Sequence, residues 1–406
     1  MSLLDKFLEQ ALSRRSVFKD KRYLSVDYVP DDLPYREKEI LKLADILVNI
    51  LKGTRPSNIF EYGPVGTGKT AVTQLVLRKL KEKTDEAKVP FGYSYVNCRF
   101  YRTNYRALVK IATDLELKIS KTGLPPDVIL SLIMKRLEEN YMFFLVVFDE
   151  VDWLVKYSGD DILYQFTRLN SELAKSKISL IGITNDVRFR EYLDARVLSS
   201  LSEETIIFQP YTQDQLYGIL LQRAKLAFWE GVIDDEAIRY AAAVAARDGD
   251  ARKAIDLLRV AGEIAERKGD SKVAVDHVMQ ASEEVERNII KEVILTLPPN
   301  QQLLLLGIAG LSKTSSKIVT GRIKQTYDWL LSQIGRQPIT LRRINDYLAE
   351  LETLGIISST IVSFGRHGRT RIIKLEIPVE VIEDILLKDP LFAEIYQELA
   401  CVLAQP

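Results

Sequence analysis

The chain has 406 residues, of which 47% are apolar and 28% charged, so it can bury more than one hydrophobic core. Its 56 basic and 56 acidic residues balance, so any nucleic-acid surface must be local rather than a property of the whole molecule. The two cysteines and two histidines lack metal-ligand spacing, and because no long apolar span occurs we expect neither a signal peptide nor a membrane-spanning segment. We therefore expect two or three domains in a cytoplasmic protein without a membrane segment.

The order of apolar and helical segments predicts three domains after a basic N-terminal arm at residues 1–20. Strand-like runs separated by helical segments predict an α/β domain with a five-stranded parallel sheet over residues 21–208. A wholly helical pattern predicts a small bundle at 209–287, and helices followed by a basic hairpin occupy 288–406. The five strand-like runs are 58–62, 92–97, 143–148, 178–184 and 204–208.

A complete G-x-x-x-x-G-K-[ST] phosphate loop, the Walker A motif, lies between the first apolar run and a helix-like segment. Its glycines let backbone N–H groups surround phosphates, Lys69 can reach the β and γ phosphates, and Thr70 offers a hydroxyl to Mg²⁺. A chance match in a glycine-rich turn is the alternative, and the flanking strand and helix argue against it. The predicted nucleotide contacts here are Gly63, Pro64, Val65, Gly66, Thr67, Gly68, Lys69, Thr70 and Ala71.

The apolar run at 143–148 ends in Asp149 and Glu150. A run that is apolar on both faces predicts a central parallel strand whose carboxyl end meets the ligand crevice. Asp149 would then hold Mg²⁺, directly or through water, and Glu150 would polarise the attacking water. The alternative is an acidic pair that merely caps the next helix.

Three further residues make chemical sense around a γ-phosphate. Asn185 follows the fourth apolar run and can orient the attacking water, although a turn residue is the alternative. Arg196 is a candidate arginine finger for a neighbouring subunit, or an ordinary surface arginine. Arg252 opens a helix of the bundle, from which its guanidinium can reach phosphates or simply serve as a helix-start charge.

The phosphate loop and these five polar residues occur in the order and spacing of an AAA+ ATPase with a helical lid. Further segments extend the match from about residue 15 to the end. The chain resembles the archaeal origin-recognition and cell-division-control replication initiators, relatives of the largest subunit of the eukaryotic origin recognition complex and of its helicase-loading partner. The segments that carry this resemblance are Tyr28-Val29-Pro30 through Arg36-Glu37, Tyr95 to Cys98, Asp161 to Tyr164 and Arg196 to Leu201.

The resemblance implies further nucleotide contacts and a mode of action. It implies Tyr211 near the base, with Arg223 and Arg252 on the lid, whereas Tyr35 departs from the histidine expected before Arg36. Members of the family hold ATP or ADP tightly, so we expect a slow ATPase that acts as a switch. The family also carries a DNA-binding helical insertion after its second strand, and the basic, aromatic segment 99–106 occupies that place. A solvated loop is the alternative reading of this segment.

The C-terminal segment predicts a winged helix. Thr340 can cap a helix that Gly355 ends, and Arg342 and Arg343 lie at its beginning, the end that enters a major groove. Strands at 356–362 and 370–375 flank a turn rich in glycine and arginine, which suits a minor groove or the DNA backbone. Seven basic and three acidic residues lie between positions 335 and 374, a local excess of four. The alternative is a hairpin that binds protein.

The predicted interaction is therefore with double-stranded origin DNA, which the chain would distort. The chain would also help to recruit the replicative helicase. A paralogous initiator is a further predicted partner. Such a protein would associate with the nucleoid. A nucleotide-sensing transcriptional regulator and a clamp-loader-like machine are the alternatives. The predicted DNA contacts are Arg99, Arg102, Tyr105, Arg106, Thr340, Arg342, Arg343, Gly365, Arg366, Gly368, Arg369 and Arg371.

Arg369→Ala tests the wing. We expect weaker binding to all duplexes and a salt dependence reduced by one phosphate contact, about 0.9 in the slope of log affinity against log salt. Titrations of one duplex at several salt concentrations measure this slope. An unchanged slope would remove the wing from the DNA interface.

Overall fold

The computed structural model describes residues 16–25, 28–119, 123–201, 203–315, 317–363 and 369–403. The chain divides into two compact units, residues 1–281 and 282–406. This division falls within the helix Val275–Thr296, as does the predicted boundary after residue 287. Among the described helices, none combines the length and apolar character needed to cross a membrane.

A parallel sheet forms the centre of the first unit. Its strands are β1 (Asn58–Tyr62), β2 (Phe91–Asn97), β3 (Phe143–Asp149), β4 (Lys177–Thr184) and β5 (Glu203–Ile207). They lie in the order β2-β3-β4-β1-β5, and every neighbouring pair is parallel. All five predicted strands are confirmed to within one residue at each end.

Within the described part of the chain, seven helices accompany this sheet, and apolar clusters cover both of its faces. Within β3, Phe144 and Phe148 belong to one buried cluster, whereas Leu145 and Val147 belong to the other. This alternation explains why the strand is apolar at every position. The helices are α1 (Glu37–Leu47), α2 (Lys69–Glu86), α3 (Asn104–Asp114), α4 (Pro126–Asn140), α5 (Val151–Ser158), α6 (Asp161–Leu169) and α7 (Ala195–Leu201).

A helical bundle follows, as predicted. It contains α8 (Gln213–Ala227), α9 (Asp235–Ala245), α10 (Ala251–Lys268) and the first part of α11 (Val275–Thr296). Thr212 and Gln215 form a reciprocal capping box that begins α8. Residues 16–20 of the predicted arm pack on this bundle. Phe18 stacks on Phe228, which follows α8, with the two ring centroids 5.0 Å apart. Residues 1–15 of the arm lie outside the described residues.

The second unit is a winged helix with two additional C-terminal helices. Three antiparallel strands of the described residues pair in the order β6-β8-β7, where β6 is Ile318–Val319, β7 Ile357–Ser363 and β8 Arg369–Leu375. A core that includes Leu304, Ile344 and Ile382 joins its helices. The wing tip, residues 364–368, lies outside the described residues. The helices are α12 (Pro299–Thr314), α13 (Thr320–Gln333), α14 (Leu341–Thr353), α15 (Val379–Leu386) and α16 (Pro390–Leu403).

Gly182 provides a test of sheet packing. A Cβ atom at Gly182 would lie 2.4 Å from Cε1 of the buried Phe60 ring. Gly182→Ala should therefore overpack the core and lower the free energy of unfolding by about 1–3 kcal/mol, measured by urea denaturation. Gly92→Ala is the control, because the atom nearest its added Cβ is the terminal methyl of Met142, which can move, and the Phe144 ring lies farther away, at 3.3 Å. A larger loss in the control would contradict this account of the packing.

Candidate nucleotide site and candidate DNA surfaces

The carboxyl ends of three strands meet at one cavity. The phosphate loop follows β1, Asp149 ends β3, and Asn185 follows β4, which lies between those two strands. All three line a cavity of about 440 Å³, a size suited to a small ligand. The sheet therefore brings together the loop, the acidic pair and Asn185, as the sequence predicts.

Most of the predicted phosphate loop lines the cavity. Gly63 and Pro64 do not, but their carbonyl oxygens each accept a hydrogen bond from Lys69 Nζ at 2.7 Å. Burial lowers the pKa of Lys69 to about 8, although Asp149 opposes this shift. The ammonium group is thus held at the base of the loop, partly desolvated. The loop residues that line the cavity are Val65, Gly66, Thr67, Gly68, Lys69, Thr70 and Ala71.

Thr70 and Asp149 lie side by side, as a shared magnesium site requires. The Thr70 hydroxyl donates to Oδ2 of Asp149 at 3.0 Å, and the Tyr95 hydroxyl donates to the same oxygen at 2.5 Å. Burial, and then the Asp149 charge, raises the pKa of Tyr95, so this hydroxyl keeps its proton. Tyr95 was not predicted to take part. Its position two residues before the end of the apolar run at 92–97 was the available signal.

Glu150 faces the same cavity from a strained backbone position. Its φ of 55° is in the left-handed region, directly before α5. Burial, and then the neighbouring Asp149 charge, raises the pKa of the Glu150 carboxyl. Oε2 of Glu150 is buried and has no hydrogen-bond partner within the described part of the chain. Glu150 lines the cavity, and a carboxylate oxygen without a protein partner suits a group that binds a water molecule.

The bundle contributes the opposite wall. Tyr211, Arg223 and Arg252 all line the cavity. Tyr211 and Arg223 are buried, and Arg223 donates to the carbonyl oxygens of Tyr23 and Tyr28 at 3.1 and 3.2 Å. Arg252 is exposed at the beginning of α10, where its charge acts on both Lys69 and Glu150.

Arg196 is the one predicted catalytic residue outside the cavity. Its side chain is 79% exposed, and its Nε lies 3.1 Å from Oδ1 of Asp194. An arginine that acts on the nucleotide of a neighbouring subunit must lie at the surface, and Arg196 meets this requirement. The role itself stays a prediction.

The segment 99–106 runs from the loop after β2 into the first turn of α3 and presents exposed basic groups. Arg99, Arg102 and Arg106 are exposed, and Tyr105 is half-buried. The Arg102 guanidinium lies 5.6 Å and 5.5 Å from the ring centroids of Trp153 and Tyr157, which stack on each other. These two rings were not predicted, and their spacing of four residues just after Glu150 was the available signal.

The helix predicted to follow Thr340 is confirmed as α14, and its role in DNA recognition stays a prediction. The Thr340 hydroxyl caps it by accepting a hydrogen bond from the Arg343 backbone N–H at 3.4 Å, and Gly355 follows it with a φ of 70°. Arg342 and Arg343 are exposed in its first turn, and Arg371 is half-buried on β8. Of the predicted contacts, Gly365, Arg366 and Gly368 lie outside the described residues, as does the side chain of Arg369.

Three family models match consecutive parts of the chain. Residues 53–191 match an AAA domain, 217–283 the Cdc6 AAA+ ATPase-type lid domain, and 292–385 the C-terminal winged-helix domain of CDC6. The chain is thus a nucleotide-binding AAA+ protein with a Cdc6-type lid and winged helix.

Proteins that align with nearly the whole chain identify its family within the AAA+ proteins. An ORC1-type DNA replication protein of Thermococcus kodakarensis is 45% identical over 392 residues, which are 95% of this chain and 94% of the relative. ORC1-type DNA replication protein 1 of Sulfurisphaera tokodaii is 45% identical over 397 residues, 97% and 99% of the two chains. The solved structure of the Aeropyrum pernix ORC1 protein in complex with DNA is 43% identical, covers 93% of this chain and 98% of its own, and superposes with a TM-score of 0.85. The chain belongs to the family of ORC1-type DNA replication proteins.

Glu61 is a fully buried carboxyl on β1, beneath the phosphate loop. Its two oxygens each lie 2.8 Å from the Thr73 hydroxyl oxygen, which also lies 3.1 Å from the Lys69 carbonyl oxygen. Burial raises the pKa of Glu61 from 4.5 to about 8. A protonated Glu61 can donate to Thr73 while Thr73 donates to the Lys69 carbonyl, so the neutral form satisfies all three groups.

This shift predicts a pH dependence of stability. Between pH 4.5 and about 8 the folded chain holds a proton that the unfolded chain has lost, so stability falls as the pH rises through this window. Glu61→Gln should remove that slope, which is at most about 1.4 kcal/mol per pH unit. Urea unfolding at several pH values measures it, with Glu82→Gln on the exposed face of α2 as the control. Parallel pH profiles for wild type and Glu61→Gln would contradict a protonated Glu61.

Proposed function

We propose that the chain is an ATP-dependent DNA replication initiator that binds duplex DNA at replication origins and changes state with its nucleotide. The observation that carries this proposal is the presence, in one chain of the ORC1-type family, of a complete phosphate-binding cavity and a winged helix with arginines at the beginning of α14. A transcriptional regulator is not favoured, because relatives 45% identical along nearly the whole chain are named replication proteins.

The cavity suits ATP or ADP with Mg²⁺. The Thr70 hydroxyl and the Asp149 carboxylate supply two adjacent oxygen ligands, and Mg²⁺ takes its other ligands from phosphates and water. Bound phosphates would take over the hydrogen bonds that Lys69 makes to the carbonyls of Gly63 and Pro64. Glu150 and Asn185 would hold the attacking water, which supports slow hydrolysis of ATP to ADP and phosphate.

The lid can report the state of the nucleotide because it contacts the phosphate loop. The backbone N–H of Ala251 donates to the Gly66 carbonyl at 3.1 Å, and a Cβ at Gly66 would lie 1.7 Å from Oδ1 of Asp250. Arg252 follows directly, within reach of a γ-phosphate that ATP has and ADP lacks. Loss of that phosphate would bias the lid toward another arrangement.

The winged helix would supply the main DNA contact. Arg342 and Arg343 are exposed at the N-terminal end of α14, where a recognition helix meets base edges or phosphates. A DNA complex of the 43% identical Aeropyrum pernix ORC1 supports a DNA-binding role for this chain. The wing residues would follow the minor groove or the backbone.

A second DNA contact would come from the connection between β2 and α3. Arg99, Arg102 and Arg106 can contact phosphates, and Phe100 is 70% exposed beside them. Two contacts on one duplex could offset the cost of bending it, about 1 to 6 kcal/mol by elastic estimates. We also propose that the chain helps to recruit the replicative helicase and acts beside a paralogous initiator.

Footprinting on fragments of the encoding genome, with ATP and with ADP, tests this function. We expect protection concentrated at replication origins and longer than one winged-helix site, because two surfaces contact the duplex. Lys69→Ala should lose tight nucleotide retention yet keep much of the DNA affinity, because α14 belongs to the separate unit 282–406.

Three results would contradict parts of the proposal. Protection scattered over promoters would favour the regulator. No protection would make the C-terminal unit a protein-binding module. Complete loss of DNA binding by a folded Lys69→Ala variant would contradict the independence of the two sites.

A further inference from the structure

Arg36 is a buried arginine with no role in the function described so far. It directly precedes α1 and is 3% exposed. Arginine is almost never so buried without partners that satisfy its donors. Its partners therefore indicate what it does.

The Arg36 guanidinium joins the phosphate loop to the connection between β5 and the lid. Its Nε donates to the Thr67 carbonyl at 2.8 Å, and its Nη2 donates to the Gln209 carbonyl at 2.6 Å. Its centre lies 3.8 Å from the centroid of the Tyr211 ring, a stacked cation–π contact. One planar group thus contacts the loop, the backbone that leads to the lid, and a ring of the nucleotide cavity.

The bond to Thr67 fixes the direction of a phosphate-loop peptide. In a trans peptide the carbonyl and the following N–H point in opposite directions. Because the Thr67 carbonyl points to Arg36, the Gly68 N–H points away from it. Ala251 holds the preceding Gly66 carbonyl in the same manner, at 3.1 Å. Successive loop peptides are therefore oriented by two partners outside the loop.

The charge of Arg36 is only weakly balanced by protein groups. Its one carboxylate partner, within the described residues, is Glu39, at a long N–O distance of 3.5 Å. Its charge also acts on Lys69, so two cations lie at one loop. A buried cation is costly unless an anion balances it, and although Arg36 does not itself line the cavity, bound phosphates would act on its charge from the other side of the loop.

We propose that Arg36 is a positioning residue for the nucleotide: it orients the Thr67–Gly68 peptide and holds Gln209 and Tyr211, so that the phosphate loop and the lid connection change together. This inference rests on the proposal that the cavity binds a nucleotide. Lysine cannot replace arginine here, because an ammonium group lacks the planar fork that reaches two carbonyls while stacking on a ring.

Release of fluorescent mant-ADP and mant-ATP from the full chain tests this role. Arg36→Lys and Arg36→Gln should each release both nucleotides about tenfold faster than wild type, because each loses the bridge between Thr67 and Gln209. Arg78→Gln is the control, since Arg78 pairs with Asp31 at the surface and should leave release unchanged.

Hydrogen exchange separates positioning from general stability. In the ADP-bound state, the Arg36→Lys variant should lose protection at residues 66–69 and 209–212, with a melting temperature close to that of wild type without nucleotide. Arg36→Lys keeps the buried charge, so it carries the test if Arg36→Gln does not fold.

Three outcomes overturn the inference. The first is mant-ADP release from Arg36→Lys at the wild-type rate. The second is a loss of protection spread over the whole first unit, which would show a purely structural role. The third is a wild-type chain that binds no mant-ADP, which would overturn the nucleotide proposal as well.

Discussion

The parallel pairing of β1, β4 and β3 is the constraint on which the nucleotide site depends. Parallel strands end at the same edge of a sheet, so the residues that follow them are brought together whatever their distance in sequence. Asp149 reaches Thr70 in this way, across 79 positions. The apolar clusters on both faces hold the strands in register, because a shift by one residue would exchange every buried side chain between the faces.

The phosphate loop concentrates positive charge where protein groups balance it poorly. Lys69 is partly desolvated with a lowered pKa, and Arg36 is buried behind the loop with a distant carboxylate. The same loop offers carbonyl oxygens to Lys69, Arg36 and the backbone of Ala251. Binding of an anion would therefore change the balance of hydrogen bonds at the points where the lid is attached. This competition would be the physical basis of the proposed nucleotide switch.

In the second unit the basic side chains of α14 are exposed, whereas Lys69 and Arg36 in the first unit are buried. The chain as a whole is neutral, and the arginines of α14 stand exposed on a helix whose opposite face is buried through Ile344 and Leu348. Arg343 lies over the Tyr347 ring, 5.1 Å from its centroid, and exposed arginines such as these can exchange water for phosphate or base contacts. A local excess of basic groups on a separately packed unit thus allows DNA affinity without a basic molecule.

The sequence by itself determined the strands, the phosphate loop, the acidic pair and the capped helix α14, because each depends on local spacing: apolar periodicity, glycine positions and a capping hydroxyl. Only the tertiary structure decided the strand order β2-β3-β4-β1-β5, which alternation of strands and helices leaves open. It also decided which distant groups meet. The bonds of Arg36 to Thr67 and Gln209, and the position of Arg102 beside Trp153, have no local signature. Such contacts arise from how packed elements are placed, since a side chain finds its partner only after the sheet order and helix packing are set.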